Sequence, residues 1–75
     1  MEKKLLEIIN EIRAAKSIAP VESISKDTKL REDLSFTSFD LAELTVKIED
    51  EYDIDIFEDG LVSTVGEIIA KLEAE

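Results

Sequence analysis

The sequence predicts a small all-α bundle, and three observations predict it. Apolar residues recur at helical spacing in three separate stretches, residues 2–16, 38–50 and 65–74. The last two stretches each follow a threonine with an acidic residue three places on, Thr37 with Asp40 and Thr64 with Glu67, the pattern of a capping box. The alternating run Asp53-Ile54-Asp55-Ile56-Phe57 formally reads as a strand, but a single strand has no partner here.

The first helix rests on Leu5, Ile8, Ile9 and Ile12, with Glu and Lys on the remaining positions. Arg13 and Lys16 fall near its C-terminal end, where cations suit the helix dipole. Residues 17–34 form a long connection, interrupted by Pro20 and supplied with turn chemistry by Ser23, Ser25, Asp27 and Thr28. Ile18, Val21, Ile24, Leu30 and Leu34 recur through it, so the expectation is a loop packed down on the bundle with a short turn near Lys29–Asp33. A disordered linker would not carry so many aliphatic residues.

Thr37 caps the second helix, expected over Ser38–Asp50, with Asp40 reaching back to the cap. Leu41, Leu44 and Ile48 form its apolar stripe, which Tyr52 extends past the end. The opposite face offers Asp40, Glu43, Lys47 and Asp50. Val46 lies off the stripe beside Glu43 and Asp50, as an exposed contact or a rim residue. The run after Tyr52 is expected to be an extended loop burying Ile54 and Ile56. Residues 58–62 leave room for at most one short helical turn, and Val65, Ile68, Ile69 and Leu72 build the last helix. The whole chain, 1–75, is expected to be one domain.

The chain has 75 residues, no cysteine and no histidine. Ser-His-Asp and Cys-His catalysis are therefore excluded, as are thiolate and imidazole metal sites. So short a chain has little room for a deep, water-excluding cleft, and catalysis by it alone is not expected. Nine basic against nineteen acidic side chains leave a net charge of −10. That charge is uneven, because residues 1–31 hold seven positive and five negative groups, while residues 32–75 hold two and fourteen. An acidic surface repels nucleic acid and anionic membranes and suits a basic protein partner. No apolar run reaches the length of a signal core or a membrane span, so the chain reads as cytoplasmic.

Calcium is the first chemistry to test on an acidic chain. Asp53-x-Asp55 resembles the start of an EF-hand loop, which would need Gly at its sixth position and Glu at its twelfth. Those positions hold Glu58 and Thr64, so the motif fails and no specific metal site is expected, which leaves only loose divalent-ion binding by the acidic surface. Ser38 is the second candidate. At the first helical position its hydroxyl is not needed for capping, and it lies beside unpaired N–H groups at the positive end of the helix. A phosphate ester there would meet favourable electrostatics. Local pattern alone favours an ordinary solvated first-turn serine.

The segment Asp33-Leu34-Ser35-Phe36-Thr37-Ser38-Phe39-Asp40, followed by Ala42-Glu43-Leu44 and by Ile48-Glu49-Asp50-Glu51-Tyr52-Asp53-Ile54-Asp55-Ile56, resembles the acyl carrier protein family. The usual signature there is Asp-Leu-Gly-x-Asp-Ser-Leu-Asp, then an acidic helix and an extended acidic-apolar segment. The likeness runs over essentially the whole chain, through the closing Thr64-Val65-Gly66-Glu67-Ile68. It implies a four-helix bundle with a short third helix and a long loop between the first two. It also implies a non-enzymatic monomer carrying acyl groups as thioesters on 4′-phosphopantetheine, taken from coenzyme A and joined to Ser38. A chain without cysteine needs such a borrowed thiol. Leu44, Ile48, Ile54, Ile68 and Leu72 would line an acyl-sheltering interior. Asp40, Glu43, Val46, Glu49 and Asp50 would meet the partners. The implied partners are a phosphopantetheinyl transferase, an acyl-loading ligase or transferase, and ketosynthase-type or other basic-patched enzymes of fatty-acid, specialised acyl or polyketide synthesis. Thr37 stands where the family usually has Asp, Ser35 where it has Gly, and Phe39 where it has Leu. An aminoacyl or peptidyl carrier for an adenylating ligase, and an unmodified acidic interaction domain, are the alternatives.

Overall fold

The computed structural model describes residues 2–57, 60 and 62–74, and among them three helices form around one apolar core. Helix α1 spans Glu2–Ala15, α2 Ser38–Tyr52 and α3 Val65–Ala74. In α1, Leu5, Ile8, Ile9 and Ile12 form one buried stripe, as the 3.6-residue period requires. The stripe of α2, made of Leu41, Leu44 and Ile48, packs against α1. Val65, Ile68 and Leu72 close the core from α3. Each such side chain contributes about 1.5–3 kcal/mol relative to an exposed one, so the three stripes supply the main term that opposes chain entropy.

The long connection does pack down. Leu30, Leu34 and Phe36 are buried, and Val21 and Ile24 lie half-buried against the core. Two side chains of α1 hold it in place. Asn10 exchanges a pair of hydrogen bonds with the backbone of Val21, at 3.0 and 2.9 Å. Arg13 turns inward and donates to the carbonyls of Ala19 (3.0 Å) and Leu34 (2.7 Å). A buried guanidinium is tolerated because its donors are satisfied by carbonyls that would otherwise be orphaned.

The expected turn is present over residues 30–34, with the amides of Asp33 and Leu34 both donating to the Lys29 carbonyl. The same stretch forms a one-rung antiparallel bridge between Lys29 and Thr64. Its hydrogen bonds run from Leu30 N–H to the Ser63 carbonyl and from Val65 N–H to the Thr28 carbonyl, each 2.9 Å. At the start of α3, Gly66 N–H donates to the Lys26 carbonyl, and a Cβ on Gly66 would lie 2.6 Å from that oxygen. Only glycine permits so close a backbone approach.

Helix α2 runs two residues beyond its expected end. Asp53 takes the left-handed conformation (φ 59°, ψ 36°) and its N–H returns to the Glu49 carbonyl, terminating the helix after Tyr52. Burial pushes the Tyr52 phenol above its ordinary pKa, helped by the negative charge of Glu51. Residues 53–57 form no strand. Ile56 is buried, Ile54 is half-buried, and Asp55 accepts from the Phe57 amide in a local turn. The short helical turn expected over 58–62 falls largely outside the described residues.

Candidate functional site

Thr37 is the N-cap of α2 and leaves Ser38 as its first helical residue. Thr37 holds extended backbone angles (φ −91°, ψ 175°), and its Oγ1 accepts from Asp40 N–H at 3.2 Å. Asp40 Oδ2 accepts in return from Thr37 N–H at 2.9 Å and from Thr37 Oγ1 at 3.0 Å. The box is therefore complete without Ser38, whose hydroxyl lies on the exposed side of the helix start.

Asp40 corrects the sequence reading. It was expected on the partner-facing surface, yet it is only 4% exposed. Lys16, arriving from just beyond α1, donates to its Oδ2 at 2.6 Å and to the Ser35 carbonyl at 2.6 Å. The Lys16 ammonium also lies 5.9 Å from the centre of the Phe36 ring, within cation–π range. Burial pushes the Asp40 carboxyl up. The hydrogen bonds from Lys16 and Thr37, with the Lys16 charge, outweigh that and hold it below the ordinary carboxylate value. Asp40 thus fixes the helix start rather than meeting solvent.

The other predicted contact residues stay outside. Val46 is 66% exposed, Glu49 and Asp50 are exposed, and Glu43 is half-exposed. Val46, Glu49 and Asp50 share a shallow groove with Lys47, which pairs with Glu11 of α1 at 3.2 Å. Of the residues expected to line an interior, Leu44, Ile48, Ile68 and Leu72 belong to the packed core, and Ile54 lies half-buried against it.

Two further residues stand at this helix start whose place sequence reasoning did not assign. Phe39 is 78% exposed, and it stands seven residues before Val46, so both project from one side of α2. A large apolar residue falling off the Leu41-Leu44-Ile48 stripe was the available signal. Arg31 donates from Nη2 to Ser38 Oγ at 2.8 Å. Arg31, Ser38, Leu41, Ala42 and Phe57 line a shallow, open depression of ≈ 220 Å³. Nothing local in the sequence pairs Arg31 with Ser38, because the turn between them sets their approach.

Among the described residues, no three His, Cys, Asp or Glu side chains gather as metal ligands. No described helix is long and apolar enough to cross a membrane. What the arrangement offers chemically is a primary alcohol, accessible and uncommitted to the cap, in a locally positive setting on an otherwise acidic helix.

Residues 3–72 match a family described as the phosphopantetheine attachment site. Three curated proteins are similar to the chain. An acyl carrier protein of Saccharopolyspora erythraea is 35% identical over 69 residues, covering 89% of this chain and 73% of the relative. An acyl carrier protein of Buchnera aphidicola is 41% identical over 56 residues, covering 75% and 66% respectively. Acyl carrier protein 3 of Ralstonia nicotianae is 33% identical over 72 residues, covering 93% and 83%.

Proposed function

The chain belongs to the acyl carrier protein family, whose members carry phosphopantetheine and are not themselves enzymes, and on that premise we propose that Ser38 is the attachment residue. The observation that carries this reading is the division of labour at the start of α2. Thr37 and Asp40 close the cap between themselves, which leaves Ser38 Oγ outside the helix hydrogen bonds and open to solvent. Unpaired amides and the positive helix end favour a phosphate on that oxygen.

In the attachment step Ser38 Oγ bonds to the phosphorus that bears the pantetheine arm of coenzyme A. The P–O bond to the adenosine bisphosphate breaks, and the serine proton goes to a base of the transferase. Once attached, the group supplies a terminal thiol for thioester formation, which this cysteine-free chain lacks. The protein's own part is to present the arm on a rigid helix start and to be recognised.

For recognition we assign Glu43, Val46, Glu49 and Asp50, with Phe39 added and Asp40 removed. Carboxylates steer a basic partner, and the two exposed apolar side chains fit a dry socket within a basic rim. The transferase, an acyl-loading ligase or transferase, and ketosynthase-type enzymes are partners of that kind. The cargo pathway is fatty-acid or specialised acyl synthesis, in the cytoplasm. An acyl chain would be sheltered among Leu44, Ile48, Ile54, Ile68 and Leu72 by parting the core next to Leu41, which lines the shallow depression beside Ser38.

Intact mass tests the reading. After incubation with coenzyme A and a transferase, the wild-type mass rises by one phosphopantetheinyl unit, and the Ser38→Ala mass does not. An unchanged wild-type mass, or an equal gain in the variant, removes the assignment.

A further inference from the structure

Arg31 is set apart from the other cations around it. Lys29 pairs with Glu32, Lys16 with Asp40, Lys47 with Glu11, and Lys4 with Glu7 and Glu51. Among the described residues no carboxylate pairs with Arg31, although residues 32–75 carry fourteen acidic groups. Its guanidinium has five N–H donors, and one of them already reaches Ser38 Oγ at 2.8 Å.

The backbone beneath Arg31 is firmly held. Leu30 and Leu34 are buried on either side of it in the chain. Lys29 N–H donates to Asp33 Oδ2 at 2.8 Å, Asp33 N–H to the Lys29 carbonyl at 2.9 Å, and Phe36 N–H to the Leu30 carbonyl at 3.1 Å. The nearest first-turn carboxylate, Asp40, is engaged by Lys16 and Thr37 and does not compete for the guanidinium.

We propose that Arg31 is the anchor that would hold the phosphodiester joined at Ser38, beside the depression that both residues line with Leu41, Ala42 and Phe57. The inference rests on Ser38 being the attachment residue. Esterification removes the hydroxyl proton and leaves Oγ a weak acceptor, while the negative charge resides on oxygens one bond further out through phosphorus. The planar fork of a guanidinium matches two such oxygens, and an exposed arginine that touches Oγ and has no carboxylate partner among the described residues needs only a side-chain adjustment to reach them. Arg31 is then a positioning residue. It restrains the first bonds of the arm without touching the thiol or the cargo.

The experiment compares modified wild type with modified Arg31→Gln and Arg31→Lys, each confirmed by intact mass. Phosphorus-31 NMR reads the phosphodiester, and proton–nitrogen spectra read the Arg31 Nε–Hε group. In wild type, modification shifts the Nε–Hε peak. In Arg31→Gln the phosphorus resonance moves and its transverse relaxation slows, and Arg31→Lys recovers part of the change. High salt drives wild type toward the Gln variant, because an exposed ion pair is screened. A phosphorus resonance and relaxation rate identical in wild type and Arg31→Gln would overturn the proposal. If the Gln variant resists modification, wild type alone decides. Concerted movement of the phosphorus and Nε–Hε signals with salt supports the anchor, and salt-indifferent signals overturn it. Wild type that never gains the mass defeats the Ser38 assignment instead, so the two failures are separable.

Discussion

Thr37→Ala and Ser38→Ala alter neighbouring hydroxyls at one helix start, and the structure assigns them opposite consequences. Thr37 Oγ1 accepts from Asp40 N–H and donates to Asp40 Oδ2, so its loss orphans an amide and loosens the buried carboxylate that Lys16 holds. Loss of an N-cap side chain costs about 0.5–2 kcal/mol, and the added strand of hydrogen bonding to Asp40 places Thr37→Ala at about 1–2 kcal/mol. In a domain of this size that lowers Tm by roughly 4–8 °C for each kcal/mol. Ser38 Oγ makes one exposed contact, with Arg31, and no helix hydrogen bond. Ser38→Ala should therefore fall within about 0.5 kcal/mol of wild type while abolishing the mass gain with coenzyme A. Denaturant unfolding followed by helical circular dichroism at neutral pH measures both. A Ser38→Ala loss as large as that of Thr37→Ala would mean that Ser38 is the cap, and the reasoning that frees its hydroxyl would fail.

Ser35 sits at φ 61°, a left-handed angle that disfavours a Cβ, so Ser35→Gly should stabilise by about 0.5–1 kcal/mol in the same unfolding measurement; a loss would show that Ser35 is not strained. Asp40 has a folded pKa below its ordinary 3.8, so its contribution is present above that value and fades as pH falls through the lower, folded one. The stability gap between wild type and Asp40→Asn should shrink on acidification across that range, and a gap independent of pH would contradict the Lys16 pairing. Reversing Glu49 and Asp50 to Lys should slow association with a basic partner enzyme and reduce its salt dependence with little change in Tm, since both are exposed. Unchanged rates in stopped-flow binding would move the recognition surface elsewhere.

The three helices were legible because their signals are local. Leu5-Ile8-Ile9-Ile12 and Leu41-Leu44-Ile48 are period patterns, and Thr37 with Asp40 is a contact three residues long. The aliphatic residues of the connection revealed that it packs, though not that Asn10 and Arg13 would bind it down. Asp40 was misplaced for a definable reason. A capping carboxylate ordinarily remains at the surface, and here a lysine 24 residues away draws it inward. Arg31 could not be read as part of the site at all, since its approach to Ser38 depends on the turn over residues 30–34. Phe39 was visible as a departure from the family pattern, but only its exposure brings it into the recognition surface proposed above.

The rung joining residues 28–30 to 63–65 ties together segments more than thirty positions apart. The long connection is consequently held at this end as well as by Asn10 and Arg13. Releasing it breaks this rung and the hydrogen bond from Gly66 N–H to the Lys26 carbonyl, both at the start of the helix that carries Val65, Ile68 and Leu72. A stretch whose length and composition suggest slack is in this way tied to the closing helix. The serine just past its end stands on a backbone held from two sides, and in the carrier role proposed above the attached arm would supply the reach that this backbone does not.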